Sequence, residues 1–211
     1  MNIQDFKTLP ILAILRGISA RDIRPIVETS VSAGLKTVEI TMNTDNACGL
    51  IRDTVKEAAG RLTVGAGTVL SVDDVKRSAD AGAVFIVSPV FQPEVVSYCR
   101  ANGLPVFPGA LTPQEIYDAW EGGASMVKVF PSKFFGPSYF REIKGPLHQV
   151  ELLACGGVTA DNVGEFFRCG ASAVAFGASI FRKEWIAERR FDLIGGEIKM
   201  LIEHFEMSNV K

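Results

Sequence analysis

A single-domain α/β fold, the (β/α)8 barrel, is what this sequence predicts, and three observations predict it. Eight short β-rich runs recur along 211 residues, a spacing of roughly 23 residues, the length of one βα unit with short loops. Helix-like stretches stand between them, so the two element types alternate strictly. A glycine phrase also recurs just before alternate runs: Ala33-Gly34-Leu35, Ala81-Gly82-Ala83, Gly122-Gly123-Ala124 and Cys169-Gly170-Ala171. Glycine suits the left-handed residue that ends a helix, so each phrase reads as a helix stop that returns the chain to the sheet.

The β-rich runs are Ile11–Arg16, Thr37–Thr41, Leu62–Thr68, Val84–Pro89, Pro105–Pro108, Met126–Pro131, Glu151–Cys155 and Ala173–Phe176. Several are apolar on both alternating faces, as expected of strands covered by helices outside and a packed interior inside. Ala20–Ala33 reads as a helix with Ser19 as N-cap and Gly34 as the stop. Ser71–Ala81 repeats the pattern, with Asp73 and Asp74 in the first turn and Gly82 after the last. Thr112–Glu121 carries Pro113 at the first helical position, and Ala160–Cys169 precedes Gly170. In Phe191–Phe205 the apolar spacing of Leu193, Ile194, Ile198, Leu201, Ile202 and Phe205 fits a helix that closes the barrel or meets another subunit, with Gly195-Gly196 weakening its middle. A doubly wound open sheet uses the same units and is the competing architecture. No linker or composition break divides residues 1–211.

Composition narrows the function. Lys and Arg number 22 against 24 Asp and Glu, a net charge of −2, which offers no excess for gripping a phosphate backbone, so no nucleic-acid partner is expected. No apolar stretch reaches the roughly 18 residues that cross a bilayer, and Met1-Asn2-Ile3-Gln4-Asp5 lacks the basic and apolar regions of a signal peptide. The four cysteines, Cys48, Cys99, Cys155 and Cys169, form no CxxC pair, and His148 and His204 are too scattered for a metal site. These features predict a cytoplasmic protein that acts on a small molecule without metal.

Three charges interrupt the apolar runs. In the sixth run Val127 and Val129 share one face, leaving Met126, Lys128 and Phe130 for the interior. Desolvation favours the free amine of a buried lysine, the form that attacks a carbonyl to give a Schiff base. A snorkelling lysine is the plainer alternative. In the second run Val38 and Ile40 pair outward, which turns Glu39 inward, where burial would raise its pKa toward the range useful for proton transfer. An ion pair with Lys128 or Arg16 is its structural alternative. Arg16 ends the first run on the face of Leu12 and Ile14; there it could grip a carboxylate or phosphate, or simply reach solvent. Gly156-Gly157-Val158-Thr159 and Gly177-Ala178-Ser179 follow the seventh and eighth runs, where barrels commonly bind phosphate through backbone N–H groups.

With these residues in place, the sequence resembles the 2-keto-3-deoxy-6-phosphogluconate/4-hydroxy-2-oxoglutarate aldolases, class I enzymes on a (β/α)8 barrel. The matching phrases run in order along nearly the whole chain: Ile14-Leu15-Arg16-Gly17, Val38-Glu39-Ile40-Thr41, Gly65-Ala66-Gly67-Thr68-Val69-Leu70, Ser88-Pro89, Phe107-Pro108-Gly109, Lys128-Val129-Phe130-Pro131, Gly156-Gly157-Val158 and Gly177-Ala178-Ser179. The resemblance implies that Lys128 forms the Schiff base and Glu39 is the general acid/base. It implies that Arg16, Thr68 and Pro89 line the pyruvate end with Phe130 beside the lysine, and that Gly157, Gly177 and Ser179 cradle the phosphate next to Cys155 and Gly156. No cofactor beyond the covalent lysine adduct is implied, and members are commonly homotrimers.

Three positions depart from the gluconate-type pattern: Asn43 replaces an arginine, Cys155 a frequent threonine, and Val90 a usual glycine. Asn43 is closer to the galactonate-type relatives. Two other functions fit parts of the sequence, a phosphate-ligand isomerase or synthase barrel and a binding barrel without turnover. The first does not require a lysine in the centre of the sixth run, and the second does not require Lys128, Glu39 and Arg16 together.

Overall fold

The computed structural model describes residues 1–209. Its strands are β1 (Ile11–Leu15), β2 (Thr37–Thr41), β3 (Thr63–Gly67), β4 (Ile86–Val87), β5 (Val106–Phe107), β6 (Gly109–Ala110), β7 (Val127–Val129), β8 (Leu152–Cys155) and β9 (Ala173–Phe176). They form one sheet in the order β5-β4-β3-β2-β1-β9-β8-β7-β6, and the pairings are parallel. The fifth predicted run, Pro105–Pro108, holds β5 alone; the strand resumes beyond it as β6, after Pro108, which has no N–H to donate to a ladder. The segment nevertheless joins both edges of the sheet. The carbonyls of Pro105 and Phe107 accept from Ile86 and Ser88, while those of Val106, Pro108 and Ala110 accept from Ser125, Lys128 and Phe130. Alternate carbonyls thus face opposite neighbours, and the sheet becomes a barrel rather than a doubly wound open sheet.

The alternation of side chains divides the apolar residues into two clusters. Outward residues such as Val38, Ile40, Val127, Val129, Val174 and Phe176 pack under the helices. Inward residues, among them Leu12, Phe85, Phe107, Met126 and Leu153, fill the barrel with Phe6. Glycine decides how that interior fits together. A Cβ on Gly65 would overlap the ring of Phe85, and one on Gly67 would overlap the carboxylate of Glu39. The two β3 glycines therefore leave the volume that a large ring and a buried acid occupy.

Of the helices, α2 (Ala20–Ser32), α4 (Val72–Asp80), α6 (Pro113–Glu121) and α8 (Val163–Arg168) stand where the sequence predicts them, α8 starting three residues later than expected. The recurring stops Gly34, Gly82, Gly123 and Gly170 have φ of 90°, 104°, 99° and 97°, the left-handed backbone that glycine adopts without a Cβ penalty. Further helices, α3 (Ala47–Ala58), α5 (Pro93–Ala101) and α7 (Gly136–Lys144), complete the ring. A short helix, α9 (Lys183–Ala187), leads into α10 (Phe191–Asn209), which runs unbroken through Gly195-Gly196. Gly195 brings the last helix close to α2, since a Cβ there would lie 3.1 Å from Thr29 Cγ2. Buried Ile194, Ile198, Leu201 and Phe205 seat α10 between α2 and α8, where it closes the helical ring.

One further helix escapes the sequence reading, α1 (Ile3–Thr8). Asn2 caps it by accepting from Gln4 N–H at 2.8 Å. The helix delivers Phe6 to the N-terminal end of the barrel, where its ring lies 5.8 Å from Phe107, which in turn lies 5.9 Å from Phe85. That end is filled with aromatic rings. The opposite end, where the β strands finish, carries the polar residues.

Candidate active site

Lys128 is central in β7, opposite Leu153 of β8 and Gly109 of β6 in the register. Its neighbours Val127 and Val129 belong to the outer cluster, so Lys128 points inward and is only 4% exposed. Its Nζ lies 5.0 Å from the centre of the Phe130 ring, two residues along the same face, a cation–π arrangement that partly replaces lost hydration. The snorkelling alternative does not describe a lysine buried to this depth.

Glu39 is central in β2, between Ile14 of β1 and Gly65 of β3 in the register. It is 1% exposed, and its Oε2 has no hydrogen-bond partner. Among the described residues no cation lies within 4.0 Å of its carboxylate, so the ion-pair alternative is not realised. Burial pushes the Glu39 carboxyl up to about 7, against the weaker opposing pull of Lys128 and Arg16. At neutral pH the group exchanges a proton readily, which is the property a general acid/base needs.

A cavity of 510 Å³ opens at this end, lined by Arg16, Lys128, Phe130, Cys155, Gly156, Gly157, Gly177 and Ser179 among the residues the sequence singled out. Glu39 and Thr68 are not in its lining. Thr68 is attached to the site through Arg16, whose Nη2 donates to Thr68 Oγ1 at 3.4 Å. Pro89 lines an adjoining smaller cavity of 270 Å³ that shares Phe130 and also contains Val90. A Cβ on Gly109 would overlap the Pro89 carbonyl, so the β4 loop rests directly on the β6 backbone. Asn43 is exposed in the turn after β2 and lines neither cavity.

The glycine loops take shape through a few side-chain bonds. Gly156 and Gly157 have φ of 99° and 81°, a left-handed pair that other residues rarely adopt. Asn162 Nδ2 donates to Gly157 O at 2.9 Å, and Ser179 Oγ donates to Val158 O at 3.0 Å, which ties the loop after β9 to the loop after β8. Burial raises the Cys155 thiol to about 11, so it stays a neutral, small group on the cavity wall.

Several lining residues were not foreseen: Ile14, Pro131, Lys133, Phe134, Ala175, Phe176 and Ala178. Ser132 was also missed, although its Oγ donates to Val129 O at 2.7 Å and accepts from Cys155 N at 3.0 Å, fastening the ends of β7 and β8 together. The signal for Ser132 and Lys133 was their position directly after a strand carrying a buried lysine, where barrel sites form. Among the described residues no group of three His, Cys, Asp or Glu could hold a metal ion, and no helix is long and apolar enough to cross a membrane. His204 Nδ1 donates to Ala160 O at 2.7 Å and does not line the cavity.

A family model described as KDPG and KHG aldolase matches residues 3–196. A 2-dehydro-3-deoxy-6-phosphogalactonate aldolase of Escherichia coli is 34% identical over 182 residues, covering 86% of this chain and 89% of its own. A 2-dehydro-3-deoxy-phosphogluconate aldolase of Haemophilus influenzae is 30% identical over 203 residues, covering 95% of this chain and 93% of its own. A solved structure titled as native KDPGal superposes with a TM-score of 0.88 at 30% identity, covering 95% of this chain and 96% of that one.

Proposed function

We propose that this chain, which belongs to the KDPG and KHG aldolase family, is a Schiff-base aldolase that cleaves 2-keto-3-deoxy-6-phospho sugar acids to pyruvate and an aldehyde. Residues 1–211 act as one catalytic domain. The single observation that carries this reading is the burial in one barrel interior of both a lysine, 4% exposed, and a carboxyl, 1% exposed, whose burial raises it to about 7.

In this reading the Lys128 amine adds to the C2 ketone and loses water to give a protonated imine. Glu39, directly or through water, takes the proton of the C4 hydroxyl, the C4–O bond becomes a carbonyl, and the C3–C4 bond breaks. Its electron pair moves into the imine to form an enamine, and the aldehyde departs. Protonation of the enamine at C3 and hydrolysis then release pyruvate and restore the amine. Arg16, held toward Thr68, binds the carboxylate of the pyruvate moiety. Phe130 packs beside the lysine, with Pro89 on its far side, and Cys155 supplies a neutral wall. The backbone N–H groups of Gly156, Gly157, Gly177 and Ser179 receive the phosphate. None of these steps uses a metal.

The family spans gluconate-type and galactonate-type acids and 4-hydroxy-2-oxoglutarate. Asn43 and the 34% identity to the galactonate enzyme favour the galactonate-type substrate. Assembly as a homotrimer in the cytoplasm is part of the reading and rests on the family. Borohydride reduction in the presence of pyruvate tests the central step. A pyruvate-sized mass increment on the peptide containing Lys128 is expected, and an unmodified Lys128 removes the Schiff base. A substrate panel of the two phospho sugar acids and 4-hydroxy-2-oxoglutarate, followed by pyruvate release, ranks the specificity.

A further inference from the structure

We propose that Lys133 is the cation that recognises the substrate phosphate and sets the preference for phosphorylated over unphosphorylated 2-keto-3-deoxy acids. The proposal rests on the Schiff-base reading of the same cavity and adds a residue to it.

The cavity wall is one-sided in charge. Arg16, Lys128 and Lys133 line it, and no Asp or Glu does. A phosphorylated keto acid carries a carboxylate at one end and a phosphate at the other, so such a wall suits it at both ends. Arg16 and Lys128 serve the keto-acid end, which leaves Lys133 as the one remaining cation of the lining. Among the described residues no carboxylate lies within 4.0 Å of its Nζ, which instead rests 4.9 Å from the centre of the Phe134 ring.

The position is built rather than accidental. The residue before it, Ser132, is buried and anchored by hydrogen bonds to Val129 O at 2.7 Å and Cys155 N at 3.0 Å. A Cβ on Gly157 would lie 2.7 Å from Lys133 Cβ and 3.3 Å from its Cα. The left-handed Gly156-Gly157 turn therefore packs directly against the Lys133 backbone, which fixes where the four-carbon stem starts. Ser179, the other polar side chain at the glycine loops, donates its hydroxyl proton to Val158 O at 3.0 Å. In that arrangement its oxygen is an acceptor toward the cavity and cannot donate to a phosphate oxygen. The Lys133 ammonium brings three donors to the place where donors are needed.

Two variants test the assignment. Lys133→Met keeps the length of the stem and removes the charge, and Lys133→Arg restores it. With a 6-phosphorylated substrate, Lys133→Met should raise KM about tenfold with kcat nearly unchanged, as expected for loss of one charge-assisted contact. KM for the matching unphosphorylated acid should stay as in the wild type, and Lys133→Arg should recover most of the loss. Inorganic phosphate, titrated by calorimetry against the full chain, should bind Lys133→Met more weakly by a similar factor. Equal phosphate affinity in wild type and Lys133→Met, or an equal rise in KM for both substrates, overturns the proposal. The phosphate titration does not depend on turnover, so a wild type that traps no pyruvate on Lys128 would sink the aldolase chemistry while the titration still decides Lys133.

Discussion

The two ends of one barrel interior are built on opposite principles from the same alternating strands. At the N-terminal end Phe6, Phe107 and Phe85 meet at centroid distances of 5.8 and 5.9 Å in an apolar cluster. At the C-terminal end Arg16 and Lys128 line a 510 Å³ cavity, with Glu39 of β2 buried behind it. Burial of aromatic rings stabilises the fold, whereas burial of an unpaired carboxyl opposes it. The rigid lower end therefore bears the strain of holding reactive groups out of water in the upper one, a division that stability and turnover measurements can separate.

The largest expected effect falls on the upper end. On the proposed chemistry Lys128→Met removes the Schiff-base amine, and pyruvate release should fall on the order of 10⁴-fold or more. Thermal stability should hold or rise, because a buried ammonium is replaced by an apolar chain of similar length. A melting curve and a coupled pyruvate assay on one preparation check both halves. A variant that retains turnover would break the contrast between the ends. Glu39→Gln should come next, slowing turnover by roughly 10²–10⁴-fold, the usual share of general acid–base catalysis, while still allowing the borohydride-trapped pyruvate adduct. Unchanged turnover would take Glu39 out of the proton path.

Phe85→Ala probes the lower end. The ring fills the space left by Gly65 and packs on Phe107, so truncation should destabilise by about 3–5 kcal/mol. Denaturant unfolding measures the loss. KM for substrate should change little where the protein remains folded, since Phe85 does not line the cavity. A large rise in KM with little loss of stability would show that the two ends are not separable.

How much of this division was legible beforehand follows from which interactions are local. The period of two in Val127-Lys128-Val129 and Val38-Glu39-Ile40 announced both inward charges, because a strand's faces are set by its own sequence. The helix stops at Gly34, Gly82, Gly123 and Gly170 were legible for the same reason. The plug was not. Ile3–Thr8 is a six-residue helix, too short to be stable alone, and it exists because Phe6 finds Phe107 a hundred residues away. Pro89 was read as part of the main pocket, yet whether it faces that cavity or its neighbour is decided by how closely the β4 loop can approach Gly109. Lys133 was not singled out, because what places it is the turn at Gly157, which comes from another strand's loop and lies against it.

The smallest expected effect separates the two ends by pH rather than by size. The Glu39 carboxyl stands at about 7 in the fold against 4.5 for an ordinary glutamate. Its folded value is raised, so the unfolded chain releases this proton at lower pH than the folded one does. Stability linked to Glu39 is therefore fully present below about 4.5 and is lost as pH rises through about 7. The whole span amounts to roughly 3 kcal/mol at most, from the energy of one pKa unit. The aromatic rings do not titrate, and the nearby Lys7–Glu151 pair, whose carboxyl is held low, stays ionised between pH 5 and pH 8, so this end should contribute equally across that range. Glu39→Gln, which cannot ionise, should accordingly match the wild type near pH 5 and exceed it in melting temperature near pH 8, whereas the loss from Phe85→Ala should be the same at both. A Glu39→Gln gain that does not grow between pH 5 and pH 8 would mean that the carboxylate is compensated in the fold. Solvent or substrate, rather than burial, would then set its proton affinity.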